Sequence, residues 1–220
     1  MAFTCLFLPL LLVVLSSGSI TPPNPPQFVY RADFRGPQSI FPTGMKSHGT
    51  CENVYFHVEG RNCREGSTAF ISTSAQEFKA NKFGVNLLMA YPQQQSISIY
   101  EIRADQRFYS AYYSLMNAAV NYNKKGKEKK ARKYAELADT YQYEEEEWMA
   151  YKEIPTALVK KATTYYRRHL ENEGEKGTVD FNKGYVDADT VASKQAFPES
   201  KKGCPPRLWQ LLKTCIKKIG

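Results

Sequence analysis

The sequence predicts a mixed α+β chain, and three observations carry that reading. Period-two alternation recurs at residues 28–33, 69–74 and 96–103, as expected of strands with one face in a core. Helical spacing runs from about 109 to 120 and again from 131 to 140. Turn-formers such as Gly36-Pro37, Gly44 and Ile154-Pro155 separate these segments.

Before the first of them, residues 6–15 form a continuous apolar run, followed by Ser16-Ser17-Gly18-Ser19. The run is too short to span a bilayer and reads as a secretory leader, residues 1–18, so the mature chain is expected to be secreted. Residues 19–193 then form one domain, large enough to bury a core, and 194–220 a basic amphipathic tail. After the leader four cysteines remain, Cys51, Cys63, Cys204 and Cys215. An even number in an exported chain points to two disulfides, with three possible connectivities. No His or Cys spacing matches a metal site. Of the net charge of +8, six units lie from Lys194 onward, where seven basic residues face Glu199 alone. The body is close to neutral, which argues against nucleic-acid binding. In the tail, Leu208, Trp209, Leu211, Leu212, Ile216 and Ile219 fall near helical spacing among lysines. That pattern suits contact with an anionic membrane or a partner, or a cap on the core.

Taken in order, residues 21–26 are a proline-rich extended arm. In the strand that follows, Phe28, Tyr30 and Ala32 point one way and Val29, Arg31 and Asp33 the other. Arg31 there either pairs with Asp33 at the surface or serves a site. Pro37 opens a short helix that stops at Gly44. His57 lies in the apolar run 53–58, as a satisfied core residue or a working one. Residues 69–74 end in Ser72-Thr73-Ser74, hydroxyls that orient a neighbouring carboxylate or satisfy a strand end. The next strand alternates Ile97, Ile99 and Glu101 against Ser98, Tyr100 and Ile102. The charge run 124–130 reads as a solvated loop entering a helix, 158–166 as a strand, and 174–184 as a polar hairpin or loop.

The helix delivers the chain to Tyr143-Glu144-Glu145-Glu146-Glu147-Trp148-Met149. If this stretch is extended, Glu145 and Glu147 share one face and Glu144 and Glu146 the other. A solvated acidic helix turn is the other reading.

These residues resemble the bacterial ADP-ribosylating toxins, in particular catalytic subunits of the pertussis type. The resemblance runs from Val29 to about Pro155. It rests on Val29-Tyr30-Arg31-Ala32-Asp33-Phe34-Arg35, on Asn53-Val54 with His57, Gly60-Arg61 and Cys63, and on Ala69-Phe70-Ile71-Ser72-Thr73-Ser74. It continues through Tyr100-Glu101-Ile102-Arg103-Ala104-Asp105, Thr140-Tyr141-Gln142, and Glu147-Trp148-Met149-Ala150 with Ile154-Pro155. The resemblance implies two packed, roughly perpendicular sheets with a cleft for NAD, which is consumed as substrate. It implies that Glu147 stabilises the ribosyl cation and that Glu145 serves the acceptor. Arg31 and Asp33, His57, and Ser72, Thr73 and Ser74 would bind or frame the dinucleotide. It further implies a host protein as acceptor, with a G-protein α subunit as one such target, and a delivery subunit as partner.

Two departures bear on chemistry. The pertussis-type enzyme carries glutamine where Glu145 stands, whereas Glu-x-Glu is the pattern of cholera-type enzymes that modify arginine, so arginine is the expected acceptor and cysteine the alternative. Its tryptophan aligns with His48, and the aromatic expected near nicotinamide falls to Phe78 or Phe83. The same resemblance implies a bridge from Cys63 to Cys204 or Cys215, against local pairs Cys51–Cys63 and Cys204–Cys215. An NAD glycohydrolase and a non-catalytic secreted binding protein are the competing functions.

Overall fold

A computed structural model describes residues 20–60, 66–144, 146–167, 177–200 and 204, with side chains at 140–144 excepted. The leader, Cys63, Glu145, Cys215 and the tail beyond Cys204 lie outside the described residues. Among the described residues, nine strands and five α-helices occur in the order β1 (Phe28–Asp33), α1 (Pro37–Thr43), β2 (Met45–Lys46), α2 (Val54–Val58), β3 (Phe70–Ser74), α3 (Glu77–Ala90), β4 (Ser96–Arg103), β5 (Phe108–Ser110), α4 (Ala111–Lys124), α5 (Glu128–Glu144), β6 (Glu147–Tyr151), β7 (Glu153–Ile154), β8 (Val159–Tyr166) and β9 (Thr178–Phe181). The α+β class stands.

Seven strands form one antiparallel sheet in the order β5-β6-β3-β1-β4-β8-β9, and β2 with β7 forms a small second sheet. β1 pairs with β4 along its whole length, from Phe28 opposite Arg103 to Asp33 opposite Ser98. Its other neighbour, β3, meets it at a single residue pair, Tyr30 opposite Ser74. The large sheet is therefore a three-stranded half and a four-stranded half joined at one point.

Alternation distributes side chains over separate cores. Val29, Tyr100 and Ile102 pack with Ile40, Met45, Ile71, Trp148 and Ala150 on one side of the sheet. Tyr30, Ala32, Ile97 and Ile99 face the other way and pack beneath α3 with Ala80 and Leu88. In the other half, Phe70 and Met149 pack against the α4–α5 hairpin and Phe197. Each fully buried large side chain of this kind contributes about 1.5–3 kcal/mol relative to exposure.

Helix α1 starts at Pro37 and ends where Gly44, at φ +67°, returns its N–H to the Ile40 carbonyl. α3 departs from the sequence reading, which placed no element there. Its buried stripe is Ala80, Gly84 and Leu88, while Phe78 and Met89 are exposed. A β-carbon at Gly84 would lie 2.8 Å from Ile99 Cδ1 and 3.2 Å from Ala32 Cβ. Glycine lets the helix approach the sheet, at a helix-propensity cost that packing offsets.

Several other boundaries shift. The helix expected from 109 starts at Ala111, because Phe108–Ser110 pairs with β6 and the Ser110 hydroxyl caps the helix by accepting from Tyr113 N at 3.1 Å. The run 53–58 is helical over Val54–Val58, capped by Asn53. The polar stretch at 174–184 contains β9, which pairs with β8 at the sheet edge.

The expected four-carboxylate strand is corrected. α5 continues to Glu144, Glu146 adopts φ +43°, and β6 begins only at Glu147. Simple alternation across 144–147 is lost because a left-handed residue intervenes between helix and strand.

The disulfide expectation is also corrected. Cys204 bonds Cys51, 153 residues away in sequence, which excludes Cys63–Cys204 and both local pairs. Cys51 is buried and pairs with Thr68 through an isolated bridge. Ahead of that bond, Phe197 inserts between Phe70 and Tyr109, and Glu199 accepts from Tyr134 Oη at 3.0 Å. No helix among the described residues is long and apolar enough to cross a membrane.

Candidate active site

At the joint between the two halves of the sheet lies a cleft of about 730 Å3, within the size range of small-molecule sites. Its lining comes from β1 (Tyr30, Arg31), α2 (His57), β3 (Ser72, Thr73, Ser74), α3 (Lys79, Lys82, Phe83) and the first residue of β6, Glu147.

Glu147 sits opposite Ser74 in the β3–β6 ladder and is only 7% exposed. Its Oε1 lies 3.2 Å from His57 Nε2, and that nitrogen is also 3.1 Å from Ser72 Oγ. The other ring nitrogen, Nδ1, is 2.8 Å from Thr68 Oγ1, which in turn accepts from Phe70 N at 3.1 Å. A buried imidazole thus has both nitrogens engaged, and its plane rests against Phe70 at 5.2 Å between centroids. Burial alone would raise the Glu147 pKa. The hydrogen bond and charge of His57, the Ser72 hydroxyl and the Arg31 charge outweigh it and hold the carboxyl below the ordinary glutamate range. The site keeps a buried negative charge facing a cleft.

Arg31 crosses the joint. Its Nη1 donates to the Ser72 carbonyl at 2.8 Å, and its Nε is 3.4 Å from Asp33 Oδ2. Asp33 is bound mainly by Arg35, through N at 3.0 Å, Nε at 2.9 Å and Nη2 at 2.7 Å. Burial pushes Asp33 up, but the Arg35 hydrogen bonds and the Arg31 charge more than compensate, and its pKa is lowered. Asp33 backs the arginines and does not line the cleft. Arg31 therefore contacts Asp33 and also lines the cleft.

The hydroxyl strand divides its work. Ser72 touches His57, Thr73 donates to the Trp148 carbonyl, and Ser74 accepts from Gln76 N at 3.1 Å. Of the aromatic candidates, Phe83 lines the cleft and is 57% exposed, whereas Phe78, 62% exposed, does not line it. His48 is exposed and does not line the cleft. Sequence reasoning missed Thr68, Lys79 and Lys82. Lys79 and Lys82 belong to the unpredicted helix, and no local pattern marks a threonine that serves a histidine eleven residues earlier.

A family model described as pertussis toxin, subunit 1 matches residues 24–202. Pertussis toxin subunit 1 of Bordetella pertussis is 29% identical over 191 residues, covering 79% of this chain and 66% of that protein. The ADP-ribosylating toxin CARDS of Mycoplasma pneumoniae is 41% identical over 91 residues, covering 40% of this chain and 15% of the toxin. The full-length CARDS toxin structure superposes with a TM-score of 0.62 at 26% identity, over 79% of this chain and 31% of that one. EcPltA, at 23% identity and a TM-score of 0.61, covers 82% of this chain and 98% of its own and shares the fold. The chain thus spans 66% of the length of the curated Bordetella relatives.

Proposed function

Because the chain belongs to the pertussis toxin subunit 1 family, we propose that it is a secreted mono-ADP-ribosyltransferase that consumes NAD and modifies a host protein. The observation that carries this reading is the buried, charged Glu147, held by His57 and Ser72 in a cleft that Arg31 also lines. Breaking the bond between nicotinamide and ribose leaves positive charge on the sugar, and a fixed carboxylate in a dry site stabilises that charge more than water does. Glu147 is assigned that role. Arg31 supplies a planar cation suited to a phosphate oxygen. His57, with Thr68 behind it, orients Glu147, and Ser72 completes the set of bonds. Thr73 ties β3 to β6, Ser74 fixes the turn into α3, and both frame the cleft. Phe83 provides an exposed ring for the nicotinamide or adenine face.

Nicotinamide leaves with the electrons of the cleaved bond, and a nucleophile from the acceptor closes on the anomeric carbon and gives up its proton. Glu145 is assigned to that proton and to a guanidinium acceptor, on the Glu-x-Glu spacing. A G-protein α subunit as target and a separate delivery subunit follow from the family and belong to the same proposal.

The test is incubation of the protein with labelled NAD and a host-cell extract, reading nicotinamide release beside protein-bound label. Release with label on arginine supports the full reading, and Glu145→Gln should then keep hydrolysis and lose transfer. Label on cysteine removes the role of Glu145, and release without label points to a glycohydrolase. Absence of both release and label overturns the enzyme reading in favour of a binding protein.

A further inference from the structure

The residue between the two glutamates of the motif is itself engaged. Glu146 stands at φ +43° between helix α5 and strand β6. Its carbonyl accepts from Ala75 N at 3.1 Å, and its carboxylate accepts from the Gln76 side-chain amide and lies 3.7 Å from Lys79 Nζ. Gln76 occupies the N-cap position of α3, yet its side chain makes no capping bond there. It turns instead across the corner to Glu146. Lys79, one turn further along the same helix, lines the cleft.

We propose that Glu146 and Gln76 are positioning residues, a latch that fixes the corner preceding β6 so that Glu147 enters the strand facing His57. The physical need is specific. A strand's faces alternate with period two, so any slack at its first residue swings that side chain away from its partner. Glu147 is that first residue: it forms the last pair of the β3–β6 ladder, opposite Ser74, while β5 on the other side of β6 pairs only as far as Trp148. The latch ties the corner to the start of α3 while His57 of α2 holds the next side chain, so Glu146 and Glu147 are anchored by two different helices. This rests on the proposed NAD cleavage for its kinetic readout, but not for its structural one.

The test compares Glu146→Ala, Glu146→Gly, Gln76→Ala, Gln76→Glu and the exchange Gln76→Glu with Glu146→Gln. Each is read three ways: melting temperature, the NMR signal of the His57 ring without substrate, and kcat and KM for NAD. Loss of the latch should move the His57 signal and lower kcat by about ten-fold or more, since small misplacements of a reacting group cost up to ~10²-fold, while KM changes little. Glu146→Gly suits the left-handed backbone better than any side chain, so it separates conformation from carboxylate. It should behave like Glu146→Ala. Gln76→Glu sets two carboxylates face to face and should be as impaired, and the exchange, which restores a donor and an acceptor, should recover both signals. A wild-type-like Glu146→Gly, an unmoved His57 signal in Glu146→Ala, or an exchange no better than Gln76→Glu alone overturns the proposal. If the wild-type chain cleaves no NAD, the enzyme reading fails, and the His57 signal still decides the latch.

Discussion

Replacing Glu147 by glutamine removes one negative charge and keeps the side chain's length and one acceptor oxygen. His57 Nε2, 3.2 Å from Oε1, can still donate to an amide oxygen, so packing in this buried corner is preserved. What disappears is the charge that the fold favours: burial opposes it, but His57, Ser72 and Arg31 together depress the Glu147 pKa. Cutting a buried pair with alanine leaves a partner uncompensated and costs about 3–5 kcal/mol. The isosteric amide should lose about one hydrogen bond to a charged group, roughly 1.5–3 kcal/mol. The kinetic loss should resemble removal of one preorganised electrostatic group, ~10²–10³-fold in kcat or about 3–4 kcal/mol of barrier. Nicotinamide release and label transfer, measured beside a thermal melt, should both fall together while the protein still melts cooperatively. The sign of the pH dependence follows from the depressed pKa. The stability contributed by this charge is complete above the ordinary glutamate range and is lost only as pH falls through the lower, folded-state value. Activity should therefore hold at mildly acidic pH as far as Glu147 is concerned. NAD cleavage by Glu147→Gln at the wild-type rate would refute the assignment.

Four further outcomes can be measured. Arg31→Lys loses the fork that reaches the Ser72 carbonyl, so KM for NAD should rise by about ten-fold with a smaller change in kcat; an unchanged KM would remove Arg31 from substrate binding. Cys51→Ser opens a loop whose ends are 153 residues apart, worth about 5 kcal/mol on chain-entropy grounds, which a denaturant titration reads directly. Peptide mapping without reductant should recover Cys51 joined to Cys204, and a Cys63–Cys204 peptide would contradict that bond. Truncation after Cys204 should leave NAD cleavage intact, on the proposal that the basic tail serves delivery or membrane contact; a folded but inactive product would place the tail in the enzyme.

The strands that alternate cleanly were legible. β1 and β4 show each face of the predicted pattern packing into a different core, and Pro37 and Gly44 mark the ends of α1 as their backbone preferences dictate. α3 was hidden for a physical reason. Its buried stripe is Ala80, Gly84 and Leu88, with Leu87 partly buried beside it, while the bulkier Phe78, Phe83 and Met89 are largely exposed. A periodicity argument weighs large side chains, and here they report the wrong face. The cysteine pairing was not legible either, because spacing fixes neither partner, and the bond that forms joins cysteines 153 residues apart.

The site was legible in its parts and not in its joinery. Arg31, His57, Ser72 and Glu147 come from four elements, and the resemblance to a toxin family gathered them before any geometry did. The geometry adds why they meet. Only Tyr30 and Ser74 pair across the middle of the large sheet, so β1 and β3 part on either side of that contact and leave a cleft between them. Backbone groups along such a parting need partners other than the neighbouring strand. Two residues along β3 from the joint, the Ser72 carbonyl receives the Arg31 guanidinium. One side chain thus satisfies the strand edge and carries a cation to the cleft wall, while the Ser72 hydroxyl reaches His57 and through it Glu147. A ladder extended further between β1 and β3 would satisfy the same carbonyl with a backbone N–H. It would also close the space assigned to NAD in the proposed function and leave Arg31 without its anchor. On this argument the short β1–β3 pairing is the feature of the fold on which the proposed chemistry depends.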